Sequence, residues 1–486
     1  MKSPKSTKSL RSIRSARSGN TENIFHDDIC DLDNMLVMAC AKFNCPYAVS
    51  VKKEIRQDDY YKALKQADNK TKSKRISLMP EHKVPESTVD VPTHSDQASS
   101  VTPSVSYTNN IATTFVYDNY HTLTEIKITK VSQVPDILLK IIGLLVPYYK
   151  NLVRLSITNC GIDMYTIHEL GKMLNVSTIT EICLDGSPLA SCDYSILLRS
   201  SLRNLSLCRC KVNDEACEII ASKLHHAAAA DNLLLLNLSS NHITDEGAKY
   251  FGGALRTNRH LRYLNLADNH ITDGGACYLL DVLIEFPLTY DEILNMRRWR
   301  LDYFKCRNTL YSKYLEGHCK RSYDQISQST SSKRKKTSTT TLKSKPSARK
   351  EKERPSSGSA IEDFIKTKAE MMLTEVMGSF QDPFHPHCTK NVDGYKYYFG
   401  NMTLASLNLA YNNLSYITIK KLYKVILYQN SIRKTINGGL VKVVVDGNNM
   451  PISCTEMTDI NDLMAKNIGQ TGKNLELLRW RSRAIK

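Results

Sequence analysis

The sequence predicts an α/β fold in which short strand–helix units repeat and stack side by side, and two observations support this prediction. The first is an apolar pattern, L-x-x-L-x-L-x-x-N-x-I, which occurs twice at an offset of 28 residues. The second is a helix signal after each copy. The pattern positions are Leu233, Leu236, Leu238, Asn241 and Ile243, then Leu261, Leu264, Leu266, Asn269 and Ile271. Units of about 20–29 residues with this spacing are leucine-rich repeats.

Each position of the pattern has a physical reason. Alternate leucines of a strand point to the same side of a sheet, where they form one apolar stack. The asparagine can bind backbone groups of the following turn that no sheet ladder satisfies. Thr244 and Thr272 then provide N-caps, with acidic residues in the first helical turn. The second helix has an apolar face at i, i+3, i+4 and i+7, formed by Ala276, Leu279, Leu280 and Leu283.

Further copies of the pattern lie on both sides of this pair. Two upstream copies have cysteine in place of the asparagine, at Cys160 and Cys210, and a degenerate copy has Ser187. These copies begin at Leu152, Ile179, Leu202, Leu404 and Leu440, and Leu123 begins an N-terminal cap unit. Seven repeats and a cap are enough for a stable solenoid. We therefore assign leucine-rich repeats to residues 115–286 and, with a C-terminal cap or tail, to residues 400–486.

A long, partly disordered insertion at residues 287–399 interrupts the repeats. Its first part, residues 289–317, has a helical apolar pattern with Asp291 as the predicted cap, and a second helix is predicted over residues 361–376. Between them, residues 327–359 are rich in Ser, Thr, Lys and Arg, which is typical of disorder. A basic run there is compatible with a nuclear localisation signal, a tether to acidic surfaces such as nucleic acid or tubulin tails, or a solvated spacer. It consists of Lys333, Arg334, Lys335 and Lys336.

The net charge of +17 is concentrated in two segments. Residues 1–20 carry six basic and no acidic residues, and residues 320–354 carry twelve basic and three acidic residues. The repeats themselves are therefore nearly neutral, so a nucleic-acid-binding face on the solenoid is not expected. Any contact with a polyanion is expected from the two basic segments.

Outside the repeats, residues 1–110 are predicted to be mostly a disordered basic tail and linker. One helix is predicted at residues 27–49, and it either docks on the repeats or binds a partner. Residues 1–22 share their composition with mitochondrial transit peptides, but they offer only two apolar residues for an amphipathic face. The basic stretch 475–486 with Trp480 can cap the last repeat, or bind a partner or a membrane surface.

Cysteine usage and hydropathy indicate the compartment. The fourteen cysteines are scattered, and the N-terminus has no secretory h-region. We therefore expect free, mostly buried thiols, a cytoplasmic location, and no glycan at Asn237 or Asn401. No run of about 18 apolar residues occurs, so no membrane span is predicted.

Strand positions that point away from the leucine stack predict one exposed, concave face. Its side chains are small, polar and sparsely charged, which suits an extended protein partner. Leu235 and Tyr263 on neighbouring strands form either an anchor for that partner or ordinary lateral packing. The residues assigned to partner binding are Arg154, Glu181, Asn204, Leu235, Asn237, Tyr263, Asn265, Asn408 and Lys442.

Several longer stretches carry a resemblance to a known family. They are the NHITDEGA and NHITDGGA turns, the following EFPLTYDEILNMRRWRLDY, and, after the insertion, PFHPH, DGYKYYFGN and LASLNLAYNNL. Over residues 115–460 the chain resembles the leucine-rich repeat-containing protein 71 family, within the ribonuclease-inhibitor-like subclass of horseshoe-shaped repeats. Residues 286–301 are the most discriminating part. The resemblance implies a non-enzymatic protein of ciliated cells and sperm that is associated with the axoneme, and it carries over no catalytic residue.

These observations predict a non-enzymatic scaffold that binds a protein partner of unknown identity, with a microtubule-associated role and a place in the cytoplasm or in the axoneme of a cilium or flagellum. The alternative is a regulator of a soluble enzyme such as a small GTPase. An inhibitor of a basic enzyme needs an acidic face, which only Glu181, Asp185 and Asp446 supply. No P-loop, dinucleotide fingerprint, nucleophile elbow or zinc-hydrolase motif occurs, so neither catalysis nor a cofactor is expected. Metal binding is not expected either, because no second ligand pair with zinc-like spacing lies near His385, His387 and Cys388.

Overall fold

The computed structural model describes residues 32–56, 110–199, 201–226, 228, 230, 232–330, 357–433, 438–451 and 454–471. The chain divides into two compact units. The first comprises Met1–Glu285 and Gly400–Lys486, and the second comprises Phe286–Phe399.

Strands and helices alternate along most of the described chain. The strands are β1 (Ala48–Ile55), β2 (Asn110–Tyr117), β3 (Leu123–Thr129), β4 (Arg154–Thr158), β5 (Glu181–Cys183), β6 (Asn204–Ser206), β7 (Leu235–Asn237), β8 (Tyr263–Asn265), β9 (Phe286–Pro287), β10 (Thr389–Val392), β11 (Tyr395–Tyr398), β12 (Ser406–Asn408) and β13 (Lys442–Val444). The α-helices are α1 (Leu32–Lys42), α2 (Asp136–Leu145), α3 (Met164–Val176), α4 (Asp214–Leu224), α5 (Asp245–Thr257), α6 (Asp273–Asp281), α7 (Tyr290–Thr330), α8 (Ser357–Met377), α9 (Tyr416–Ile432) and α10 (Thr455–Thr471).

The first unit is organised around one sheet, which has ten strands within the described residues, in the order β1-β2-β3-β4-β5-β6-β7-β8-β12-β13. From β3 onward every neighbouring pair is parallel, whereas β2 runs antiparallel to β3. The central leucines of successive repeats are register partners, so Leu236 lies opposite Leu264. Leu264 in turn lies opposite Leu407, although more than a hundred residues separate them. The second unit therefore leaves the register of the solenoid unchanged.

The predicted leucine stack forms the core of the first unit. The pattern positions of the two tandem repeats are buried, from Leu233 to Ile271. The predicted helical face of α6 is buried as well, at Ala276, Leu279, Leu280 and Leu283. Because each strand–helix unit covers the apolar side of the next, the core is continuous along the sheet.

One side chain at the turn after each strand joins neighbouring repeats. Asn241 donates through Nδ2 to the carbonyl oxygen of Leu207 in the preceding repeat (2.9 Å) and to that of Leu238 in its own repeat (2.9 Å). Its Oδ1 accepts from the backbone N–H groups of Cys210 and Val212, both at 3.0 Å. Asn269, Asn412 and Asn448 make the corresponding bonds. The asparagine therefore satisfies backbone groups of two repeats at once.

Cysteine and serine take the same place in the earlier repeats. The Sγ of Cys210 donates to the Leu184 carbonyl oxygen of the preceding repeat at 3.1 Å. Ser187, in the degenerate repeat, donates to the Ile157 carbonyl oxygen (3.1 Å) and accepts from the Cys160 N–H (3.0 Å). The degenerate copy thus keeps the connection between repeats although it lacks the asparagine.

The residue before each of these side chains adopts a left-handed backbone conformation, with φ between 53° and 71°. Such a conformation is uncommon outside glycine. It reverses the chain at the end of the strand and brings the next side chain back over the turn. These residues are Asn159, Gly186, Arg209, Ser240, Asp268, Tyr411 and Gly447.

A second set of contacts joins the helix starts. Asp245, the first residue of α5, accepts from the backbone N–H (2.7 Å) and the hydroxyl (2.5 Å) of Thr272, the N-cap of α6. Asp273 does the same for Ser415, the N-cap of α9, at 2.9 and 2.5 Å, and it also accepts from the Thr418 hydroxyl. An aspartate in one repeat therefore fixes the helix start of the next repeat, even across the second unit.

The return of the chain into the repeats depends on Gly400 and Asn401. Gly400 has φ +92°, and a Cβ there would lie 2.7 Å from the Ile284 carbonyl oxygen, so only glycine fits. Asn401 is fully buried, which leaves it inaccessible to glycosylation. Its Nδ2 donates to the carbonyl oxygens of Leu255 and Asn258 at 2.8 and 3.0 Å.

The second unit contains helices α7 and α8, which pack on each other, and a three-stranded antiparallel sheet within the described residues, in the order β10-β11-β9. Tyr398 packs on Phe286 and Phe384, with ring centroids 5.6 and 5.4 Å apart. The residues singled out by the resemblance, 286–301, therefore form β9 and the start of α7.

Some sequence-based predictions for these regions were wrong. The predicted helix at residues 27–49 is described only as α1, and the chain then forms β1, which the sequence did not predict because half of it is exposed and charged. The predicted cap Asp291 is replaced by Thr289, whose Oγ1 accepts from the Glu292 N–H at 3.2 Å. Helices α7 and α8 extend into both ends of the segment expected to be disordered, residues 327–359.

Other predicted segments lie outside the described residues. They are residues 1–22, the linker up to residue 109, the basic run Lys333–Lys336 and the stretch 475–486. Among the helices that the structure does describe, we find no segment with the length and hydropathy of a bilayer-spanning helix.

We expect Asn241→Ala to lower the free energy of unfolding by about 3 kcal/mol or more, because several buried backbone groups lose their partner. Ser187→Ala removes the equivalent but smaller connection, and its expected cost is about 1–2 kcal/mol. Urea unfolding followed by circular dichroism measures both. Equal losses of stability in the two variants would contradict the expectation that Asn241 stabilises the stacked repeats more than Ser187 does.

We expect Asp273→Asn to destabilise the protein by about 1 kcal/mol, because an amide cannot accept all the hydrogen bonds that the carboxylate accepts at the start of α9. Burial raises the pKa of Asp273, but hydrogen bonds from Ser415 and Thr418 outweigh burial and lower it below the usual value. A lowered folded-state pKa contributes stability above the unfolded-state pKa of about 3.9, and that stability is lost as the pH falls through the folded-state pKa.

The stability difference between wild type and Asp273→Asn should therefore stay constant between about pH 7 and pH 5 and shrink below about pH 4. Glu246→Gln, the same chemical change at an exposed i,i+3 pair with Lys249, is the matched control and should change stability by only a few tenths of a kcal/mol. A difference that grows towards acid pH would show that Asp273 does not act through its charged form.

Candidate partner-binding groove

The side chains that point away from the leucine stack line one groove of about 420 Å³ on the sheet of the first unit. The groove runs across the strands from β3 to β13. The nine residues assigned to partner binding from the sequence all line it: Arg154, Glu181, Asn204, Leu235, Asn237, Tyr263, Asn265, Asn408 and Lys442. The structure thus brings them together, whereas the predicted basic tether Lys333–Lys336 lies outside the described residues.

The sequence analysis missed the two groove residues on the cap strand β3, Glu125 and Lys127. They alternate along β3 in the same way as the exposed positions of the repeats, and β3 pairs in parallel with β4. Extending the repeat alternation to the cap strand would therefore have found them.

Charged side chains at the β3 end of the groove neutralise one another. Arg154 donates through Nε to Glu181 Oε2 at 2.7 Å, and its Nη2 contacts the same oxygen. Burial would lower the pKa of Arg154, but the Glu181 and Glu125 carboxylates outweigh burial and raise it. Glu125 accepts from the Ser156 hydroxyl at 2.7 Å, and Lys127 pairs with Glu54 at 3.1 Å. This end is therefore polar but electrically balanced.

The last residues of β8, β7 and β6 form the middle row of the groove, and a chain of hydrogen bonds runs along this row to Asp185, two residues after β5. Asn265 Nδ2 donates to Asn237 Oδ1 (2.8 Å), and Asn237 Nδ2 donates to Ser206 Oγ (2.9 Å). Ser206 Oγ donates to Asp185 Oδ1 at 2.5 Å. The predicted binding residues Asn237 and Asn265 therefore hold neighbouring repeats together, and their role toward a partner stays a prediction.

Two less polar side chains interrupt the polar lining of the groove. Leu235 and Tyr263 are direct register partners on β7 and β8, and both are half-buried. Burial raises the pKa of the Tyr263 phenol, which keeps the ring neutral at physiological pH. The pair therefore offers an apolar contact area for a side chain of a partner.

Asn204 occupies the floor of the groove between Glu181 and Leu235, and it is only 8% exposed. Its Oδ1 accepts no hydrogen bond from any residue that the structure describes. A buried acceptor without a partner costs about 1–3 kcal/mol. Asn204 therefore differs from Asn237 and Asn265, whose amides are bound within the sheet.

The cysteines that the structure describes form neither a disulfide nor part of a metal-binding cluster. All twelve cysteines within the described residues are free, but only five of them are buried, so the expectation of mostly buried thiols was wrong. No three His, Cys, Asp or Glu side chains in the described ranges are close enough to hold a metal ion. His385 and His387 stack on each other, with ring centroids 5.0 Å apart.

Comparisons with known proteins agree with this architecture. A family model described as Leucine Rich repeat matches residues 231–252 and 257–279, the two tandem copies. No curated protein sequence matches the chain. Residues 231–279 therefore contain leucine-rich repeats, and such repeats are typically non-enzymatic modules that bind other proteins.

We expect Cys183, although it lines the groove, to react with iodoacetamide at pH 8 at least 100-fold more slowly than the exposed Cys306. Burial and the nearby Asp185 carboxylate raise the pKa of the Cys183 thiol to about 12, so little thiolate is present. Mass spectrometry of the alkylated peptides measures both rates in one sample.

Asp185→Asn should accelerate the reaction of Cys183 and leave Cys306 unchanged, since it removes one of the two causes of the raised pKa. Equal rates at the two cysteines in the wild-type protein would contradict the described burial of the groove floor.

Proposed function

We propose that the protein is a non-enzymatic scaffold that binds an extended segment of a partner protein in the groove. The main support is that the exposed positions of the cap and the repeats converge on this one surface. Strands lie about 4.8 Å apart, so the eight strands from β3 to β13 give a groove roughly 34 Å long. An extended protein segment can follow such a groove and meet one side chain per strand.

The bonding of the groove's acidic residues favours a scaffold over an inhibitor of a basic enzyme. Glu181 pairs with Arg154, and Asp185 accepts from Ser206 Oγ and from the Cys208 N–H at 3.1 Å. Among the described acidic residues of the groove, Glu125 and Glu181 are paired with arginines and only Asp185 forms no ion pair, so the groove offers a basic enzyme little acidic potential. The alternative function is regulation, by inhibition or activation, of a soluble enzyme such as a small GTPase through the concave repeat face.

We further propose that the protein belongs to the axoneme of motile cilia or sperm flagella, with the basic insertion as a tether. This rests on the sequence resemblance and on the twelve basic residues within residues 320–354. Clustered lysines and arginines bind acidic surfaces such as tubulin tails through salt-sensitive attraction. The groove and the tether would then hold two different components together.

Stepwise extraction of cilia tests both parts. Cells express the full chain, a tether variant with Lys333, Arg334, Lys335 and Lys336 changed to Gln, or a groove variant with Leu235→Ala and Tyr263→Ala. We expect the full chain to resist detergent and the tether variant to be released at lower salt, because exposed charges are screened. The groove variant should lose the fraction that resists high salt.

Two matched controls accompany these variants. Replacing Lys2, Lys5, Lys8 and Arg11 by Gln removes the same charge from the other basic segment, and Tyr278→Ala removes an exposed aromatic ring from α6. Tyr278→Ala should behave as the full chain does, and the variant of residues 2–11 should resist higher salt than the tether variant, because the proposed tether lies in the insertion. If detergent alone releases the full chain, the axonemal proposal fails and a soluble regulator becomes the better explanation.

A further inference from the structure

Among the residues that the structure describes, the groove has one unsatisfied acceptor and one unpaired cation, at separate places. Asn204 Oδ1, on β6, has no hydrogen-bond partner in the described part of the chain. Lys442, on β13, lines the groove and forms no ion pair with any described residue. The groove's other cations, Arg154 and Lys127, are paired with carboxylates. These two positions are therefore where a bound segment can supply what the protein lacks.

The charges near Asn204 indicate which kind of hydrogen-bond donor a bound segment would place against its Oδ1. Glu181, its register partner on β5, is already paired with Arg154, whereas Asp185 contacts Ser206, which lies two residues after Asn204 on β6. Asp185 is bound by Ser206 Oγ and by the Cys208 N–H, which are neutral donors, and it forms no ion pair among the described residues. A cationic donor, Lys or Arg, is therefore favoured over a neutral one beside Asn204.

The distance between the two positions sets the length of the ligand. Asn204 and Lys442 are four strands apart in the sheet order, which corresponds to roughly 19 Å. An extended chain rises about 3.3 Å per residue, so about six residues cover this distance. Leu235 and Tyr263 lie between the two positions, on β7 and β8.

We propose that the groove recognises an extended segment with a basic residue at one end, apolar residues in the middle and an acidic residue about six positions away. The basic side chain binds at Asn204 beside Asp185, the apolar residues pack on Leu235 and Tyr263, and the acidic side chain pairs with Lys442. This inference rests on the proposed function, because it specifies which segment the scaffold binds.

Selection from a display library of random dodecapeptides on the purified full-length protein tests the inference. Wild-type protein should enrich peptides with the stated order of charges. Lys442→Glu should enrich peptides with a basic residue in place of the acidic one. It should also weaken a synthetic wild-type-selected peptide at least tenfold, and the peptide with the charge reversed should restore the affinity.

Asn204→Leu should abolish the preference for a basic residue at the first position. Because it removes a buried acceptor without a partner, it should not lower the thermal midpoint, and this separates loss of recognition from loss of folding. Lys249→Glu, an exposed charge reversal on α5, is the matched control and should select the same peptides as the wild type.

The outcomes distinguish the inference from the proposed function. Peptides that depend on Tyr263 but lack the charge order would overturn the inference and leave the scaffold function standing. Peptides that bind equally to all groove variants would overturn both, because the groove would then not be the binding surface. Failure to enrich any sequence would overturn recognition of a linear segment.

Discussion

The solenoid depends on one side chain at the turn of each repeat, which donates a hydrogen bond to a carbonyl oxygen of the repeat before it. Asn241, Cys210 and Ser187 differ in size and polarity, yet each of them makes this bond. The shared requirement is a donor short enough to reach back over a left-handed turn. An asparagine also accepts backbone N–H groups, whereas a thiol is a weak donor and a weaker acceptor. The repeats are therefore joined most firmly where the asparagines occur.

The same connections explain how the repeats continue after a second unit of more than a hundred residues. Asn412 donates to the Leu266 carbonyl oxygen at 2.9 Å, and Asp273 binds Ser415, so both sets of contacts cross the point of insertion. Nearest-neighbour contacts, rather than chain continuity, decide the stacking of a solenoid. Closing a longer loop costs only slowly increasing entropy. The groove is consequently continuous from β8 to β12.

Much of this fold could be predicted from the sequence, because a period of leucines fixes the strand positions and the face that each side chain occupies. The alternation placed all nine predicted residues in the groove. It could not show that Asn237 and Asn265 bind each other while Asn204, in an equally polar position, has no partner for Oδ1 within the described part of the chain. That difference depends on distances between repeats and on the neighbouring strand. The register partner of Asn204 on β7 is Leu235, whose side chain cannot donate a hydrogen bond, whereas the register partner of Asn237 on β8 is the amide of Asn265.

Strand β1 shows a second limit. Its outer half, Lys52–Ile55, is exposed and charged, and its partner β2 begins more than fifty residues later. Such a strand is held by backbone pairing, which leaves no periodic trace in the side chains. The cap of α7 was misplaced for a related reason, since Thr289 and Glu292 form reciprocal bonds that a single candidate residue does not reveal.

The groove thus has rows with different tasks. The row with Asn237 and Asn265 is bound internally and keeps the strands in register, so substitutions there act first on the sheet. The outer row, from Glu125 through Asn204 and Tyr263 to Lys442, varies from charged to apolar without lateral amide bonds between most neighbours. Away from the buried Glu125 and the Arg154–Glu181 ion pair, specificity for a partner can change in this row at little cost to the fold. Asn204, whose Oδ1 has no partner among the described residues, lies in that row, which is where a binding surface would be expected to leave a polar group unsatisfied.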